Sequence, residues 1–212
     1  MAVWDQIFST NVFGAVRLTR ELLPAMRAAG RGRIVVVSSQ GGVRGMPTIA
    51  AYSAAKGALE RWAEALSHEV APFGLGVTIL VTGSFKTDIL ELTRTWADPD
   101  GPYAAHHAGL ERTGRWILRS AGSPDRFAPA VARALADRGP LTRHGVGLDA
   151  KMMLLGDRLM PGRLFQRMAG RVMGLPQPGA FRDDPVRKLA VTPPSEGGSE
   201  EPEEPEEREA RG

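Results

Sequence analysis

Two short β-branched runs constrain this chain more than any other feature: Arg33 to Ser38 (RIVVVS) and Gly76 to Val81 (GVTILV), each bounded by turn residues. Short apolar runs without polar alternation predict strands buried on both faces, as in a parallel sheet. Before the first run, residues 3–29 repeat Ile7, Phe8, Val12, Val16, Leu22, Leu23 and Met26 at helical spacing and stop at Gly30. Residues 50–73 place Leu59, Trp62, Ala63, Leu66 and Val70 on one stripe and stop at Gly74. This helix-strand-helix-strand order, with short connections, argues for an α/β parallel sheet joined by right-handed crossovers.

Beyond the second run the pattern loosens. Residues 84–122 are interrupted by Pro99, Gly101, Pro102 and Gly109 and read as a loop with short helices. Ser123-Pro124-Asp125 predicts the capped start of a helix running to about Asp137, and Pro140 to Arg143 begins a short third strand. Asp149 to Gly174 reads as two basic amphipathic pieces divided by Pro161, with five of the chain's eight methionines. Lys151, Arg158, Arg163, Arg167 and Arg171 are interleaved there. Three readings stay open for this segment: a helix packed on the core, a lid over an apolar substrate pocket, and a docking face for an anionic membrane surface.

Residues 192–212 hold eight of the 24 acidic residues and two of the 27 basic ones, so a body of charge +9 carries a tail of −6. That tail has no apolar anchor and is expected to be disordered. Zero cysteines exclude disulfides and thiolate chemistry, and a cytoplasmic location is expected. No signal peptide or spanning helix is expected either, because unbroken apolar runs last only four or five residues. The positive body alone does not indicate a nucleic-acid partner, since no aromatic-basic interleaving accompanies it. His106 and His107 are adjacent, which suits a loop rather than one metal, and no metal site is expected. Gly145-Val-Gly147-Leu-Asp-Ala150 formally fits a dinucleotide fingerprint but lacks a buried strand before it and an acidic residue about twenty positions on.

The chemistry-bearing stretch is residues 38–56, SSQGGVRGMPTIAAYSAAK. Tyr52 lies four residues before Lys56 at the start of a helix, so both share one face. A free phenol with a pKa near ~10 is a poor base at neutral pH, whereas a neighbouring ammonium favours the phenolate. Ser39 ends the first strand and supplies a hydroxyl beside them. The set suits a reaction in which a carbonyl oxygen gains a proton, or an alcohol loses one, while a hydride moves elsewhere.

Ser39, thirteen residues before Tyr52-Ser-Ala-Ala-Lys56, resembles the short-chain dehydrogenase/reductase family, on the matching strand, loop and helix. Asn11, the one asparagine of the chain, is similar to that family's fourth catalytic position, which holds a water at the end of a proton relay. The resemblance implies Tyr52 as general acid/base and Ser39 as hydrogen-bond partner of the substrate oxygen. It implies that Lys56 supports Tyr52 and binds the nicotinamide ribose. Tyr52, Lys56, Gly83 and Thr87 are the implied cofactor contacts for NAD or NADP, with Thr82 standing where the family usually has proline.

The family's opening strand, glycine-rich turn and helix are not found in the chain. The implied fold is therefore a Rossmann-like parallel sheet with helices on both faces, incomplete at the N-terminal side, with three of about seven strands and an exposed edge at residues 33–38. The expected divisions are 1–148 as a partial Rossmann catalytic region, 149–190 as the basic Met-rich extension, and 191–212 as the acidic tail. The expected function is interconversion of a secondary alcohol and a carbonyl on a lipophilic, steroid-, retinol- or fatty-type substrate. A homodimer or homotetramer through helices 3–29 and 50–73, with peripheral membrane contact, is the expected assembly. The competing expectation is a truncated, inactive fragment that acts by binding a partner or a membrane surface.

Overall fold

In the computed structural model the described residues are 1–87, 98 and 100–182. The chain divides into two units, Met1–Gln177 and Pro178–Gly212. Of the second, only a turn at residues 178–182 is described, closed by the Arg182 N–H on the Gly179 carbonyl at 3.0 Å. The acidic tail lies outside the described residues.

The first unit opens with α1 (Ala2–Phe8), a π-helical turn (Ser9–Phe13) and α2 (Gly14–Ala29). The single helix expected over residues 3–29 is thus one helical path with a widened turn in it. Gly30 ends it at φ 63°, a left-handed position that suits glycine. Strand β1 (Gly32–Ser39) follows, then the one-turn helix α3 (Gln40–Val43), helix α4 (Ala50–Val70) and a 3-10 turn (Ala71–Phe73). Gly74, at φ 75°, turns the chain into β2 (Leu75–Thr82).

The sheet has the order β1-β2-β3, all parallel, with β3 at Leu141–Val146. Gly32 to Ser39 pair with Leu75 to Thr82, and Val77 to Thr82 pair with Leu141 to Val146. Central β2 is buried on both faces, as its sequence requires. Val77, Ile79 and Val81 face α4 and pack with Val36, Leu59, Ala63 and Val70, while Leu80 packs on the opposite face with Ala134 and Val146. Each fully buried valine, leucine or isoleucine among them contributes about 1.5–3 kcal/mol. The outer edge of β1 has no strand beside it among the described residues, and Val37 there is 42% exposed.

The reading of residues 84–122 as short pieces needs correction. Ala104–Ser120 is one helix of 17 residues, α5, and it carries His106 and His107. Gly109 does not break it, because it serves as a contact: a Cβ there would lie 2.4 Å from the Gly174 carbonyl oxygen. The third helix opens as expected, Ser123 Oγ accepting the Asp125 N–H above a 3-10 turn that leads into α6 (Phe127–Ala136). After β3, Gly147 leads into α7 (Leu148–Leu159), and Pro161 separates it from α8 (Gly162–Val172). Helix α4 covers one face of the sheet and α6 the other, in a layered α/β arrangement.

Candidate active site

The carboxyl ends of β1 and β2 and the first turns of α4 form one corner, the place where open parallel sheets present ligand sites. Ser39 is the last residue of β1, in extended conformation, and caps α3 by accepting the Gly41 N–H at 3.3 Å. Gly41 in turn lies against Tyr52, since a Cβ there would sit 3.5 Å from its ring. Ser39 and Tyr52 thus both lie against Gly41 of the short helix between them.

One turn further along α4, the Lys56 ammonium stands 5.8 Å from the centre of the Tyr52 ring and donates to the Val37 carbonyl at 3.0 Å. Partial burial withdraws water from this ammonium and holds its pKa below the ordinary lysine value. The loop into α4 bends at Thr48, whose φ of 65° is a strained setting for a β-branched residue. Met46 N–H reaches back to Ser53 Oγ at 3.1 Å and ties that loop to the helix.

Asn11 sits in the π turn, a helix defect that recurs at functional sites, and its amide donates to the Ile7 carbonyl at 3.0 Å. Asn11 and Lys56 line a common cavity of ≈ 420 Å³ with Thr10, Ala15 and Leu59. Gly83 follows β2 directly, its N–H on the Val146 carbonyl at 2.8 Å. Thr87 is exposed four residues on, with residues 88–97 beyond it outside the described set. Thr82, where the family has proline, uses its hydroxyl to hold the Ser38 carbonyl at 2.8 Å, fastening the ends of β1 and β2.

Two polar residues of this corner escaped sequence reasoning. Glu60 is completely buried, accepts the Ser38 hydroxyl at 2.6 Å and pairs with Arg143 of β3. Its only signal was a charge next to Leu59 on the apolar stripe of α4. Gly42 permits the contact, since a Cβ there would meet Ser38 Oγ at 2.6 Å and Glu60 Oε1 at 2.7 Å. The other is Asp149, in the first turn of α7, which accepts Gln40 Nε2 and the Ser84 N–H, each at 2.7 Å. An acidic residue in a first helical turn was the available signal. The Gly145-Val-Gly147 segment does lie at a strand-to-helix turn, but the Asp149 carboxylate occupies the start of that helix.

The family model described as short chain dehydrogenase matches residues 1–98. Over 168 residues the chain is 34% identical to the uncharacterized oxidoreductase YbbO of Escherichia coli, covering 79% of this chain and 59% of that protein. It is 35% identical over 145 residues to 3-ketodihydrosphingosine reductase of Bacteroides thetaiotaomicron, covering 66% and 52%. A crystal structure of a short-chain dehydrogenase from Streptomyces avermitilis superposes with a TM-score of 0.59 at 35% identity, covering 78% of this chain and 59% of that one. The chain belongs to the short-chain dehydrogenase family. It spans little more than half the length of these relatives.

Beside this corner, Met46 and Pro47 line a small second cavity with Met153, Phe165 and Met173 of α7, α8 and the turn after α8. Among the described residues no helix is long and apolar enough to cross a membrane, and no three His, Asp or Glu side chains converge as a metal site would need.

Proposed function

We propose that this chain supplies the catalytic and substrate-binding half of an NAD(P)-dependent oxidoreductase that interconverts a secondary alcohol and a carbonyl. The observation that carries the reading is Lys56, bonded to the end of β1 and set 5.8 Å from the Tyr52 ring, with Ser39 two residues beyond its carbonyl partner. Tyr52 is the group that takes the alcohol proton, or returns it to the carbonyl oxygen, and Ser39 holds that oxygen by a hydrogen bond. NAD or NADP, when bound, supplies or accepts the hydride. Lys56 fits a ribose diol: it has three N–H donors and spends one on Val37, leaving two. Gly83, with no side chain, and Thr87 complete the cofactor side. Asn11, in the cavity it shares with Lys56, holds the relay water.

The cavity lined by Met46, Met153, Phe165 and Met173 supports a lipophilic substrate, because methionine adapts its shape to an apolar ligand. The name of the Bacteroides relative, 3-ketodihydrosphingosine reductase, points the same way. Exposed Trp4, Phe13, Leu18 and Leu22 support a homodimer or homotetramer through the first helical path. Exposed Leu155, Leu159, Leu164 and Met168 beside Arg158, Arg163 and Arg167 support peripheral contact of a cytoplasmic enzyme with an anionic membrane.

The outer edge of β1, with no strand beside it among the described residues, favours a second reading, an inactive fragment that binds a partner. Fluorescence titration of the purified chain with NADH and NADPH, beside circular dichroism, separates the two. Saturable binding by a folded chain, lost in Lys56→Met, supports the oxidoreductase. A folded chain with no coenzyme affinity supports the fragment.

A further inference from the structure

Asp149 gathers the segments that follow all three strands. Its Oδ2 accepts from Gln40, the residue after Ser39, and from the N–H of Ser84, the residue after Gly83, each at 2.7 Å. Its Oδ1 accepts the Ala150 N–H at 2.9 Å within the first turn of α7. Bonds to an ionised carboxylate are roughly twice as strong as neutral ones, so one side chain ties the segments after β1 and β2 to the first turn of α7 at the ligand-presenting end of the sheet. Gly83 is shaped to this arrangement, for a Cβ there would lie 1.9 Å from Oδ1.

We infer that Asp149 is a positioning residue that sets the spacing between the Ser39–Tyr52 side of the site and the Gly83–Thr87 loop. The inference rests on the functional reading above for what that spacing serves. The carboxylate packs over Gly83 and pins the next amide, so the loop after β2 cannot shift without breaking a bond to Asp149. Substrate oxygen and coenzyme must sit at a fixed separation for hydride transfer, and an error of about 1 Å costs on the order of 100-fold.

Amide hydrogen exchange tests the pin without any coenzyme. The Ser84 amide exchanges at least about 10-fold faster in Asp149→Ala than in the parent chain, the factor expected from losing one charge-assisted bond, while Val77 to Val81 amides keep their protection. Asp149→Asn, with one acceptor oxygen for three donors, gives a smaller acceleration and serves if the alanine variant does not fold. Gly83→Ala lowers Tm in the parent chain and does so less in Asp149→Ala, where the clashing oxygen is gone. Well below Tm, Asp149→Ala also weakens NADH and NADPH binding by about 10-fold. Unchanged Ser84 exchange, or strictly additive Gly83 and Asp149 effects, overturns the assignment. If the parent chain binds neither coenzyme, the functional reading fails and the exchange and thermal arms still decide Asp149.

Discussion

The Ser38 hydroxyl donates to Glu60 Oε1 at 2.6 Å, joining β1 to the helix that carries Tyr52 and Lys56. The same carboxylate pairs with Arg143, so a single buried charge spans from one outer strand to the other across a sheet face. Removing one partner of a buried pair is costly because the other stays uncompensated, although the part-exposed Arg143 softens that here. Glu60→Ala is expected to lower stability by about 3 kcal/mol in urea unfolding, and Glu60→Gln, which can still accept from Ser38, by less.

Asp137 gives the fold a pH dependence. Partial burial alone pushes its carboxyl up, but hydrogen bonds from Thr142, His144 and Thr78, with the His144 charge, outweigh this and hold its pKa below the ordinary value. A carboxyl depressed in the folded state stabilises it above the unfolded pKa, and that contribution is lost as pH falls through the folded one. The Tm advantage of the parent chain over Asp137→Asn is expected to be full above about pH 5 and to shrink as the pH drops below about 4.

Lys56 has the opposite sign. Its depressed pKa means that the folded chain bears a penalty for the ammonium at neutral pH, relieved as pH rises through the folded pKa toward the unfolded value. Lys56→Met is expected to be at least as stable as the parent chain at pH 7, with the difference narrowing above about pH 10. Thermal scans at the two pH values check this. Coupled with loss of coenzyme affinity, such a result separates the lysine's service to the site from its cost to the fold.

Gly109 meets Gly174 backbone to backbone, and neither side can rotate away. A Cβ at 2.4 Å from the carbonyl oxygen forces α5 outward, so Gly109→Ala is expected to cost about 1–3 kcal/mol despite the higher helix propensity of alanine. Thermal unfolding of the pair Gly109→Ala and Gly114→Ala is the check, because nothing lies within 4 Å of a Cβ at Gly114 and that change is expected to stabilise.

The outer edge of β1, unpaired among the described residues, is where pairing with a second chain is expected. Val37→Lys places a charge on the 42%-exposed edge position and is expected to reduce concentration-dependent association in sedimentation velocity without lowering Tm by more than a few degrees.

Residue pattern alone determined much of this molecule. The apolar runs at 33–38 and 76–81 specify buried parallel strands because no other placement hides so many β-branched side chains, and Gly30 and Gly74 end their helices because each takes positive φ. Tyr52 and Lys56 share a helix face by spacing, and Ser39 falls at a strand end, so the proposed catalytic set was legible without coordinates. Tertiary structure decided the rest. Helix α5 was hidden because Gly109 reads as a breaker until Gly174 is seen against it. Glu60 reads as a surface charge until Ser38 and Arg143 surround it, and Asp149 as an ordinary helix-start residue until Gln40 and Ser84 donate to it. Local spacing encodes which residues share a face. The partners of these two carboxylates come from strands and loops up to 109 positions away, and only folding brings them within hydrogen-bond reach.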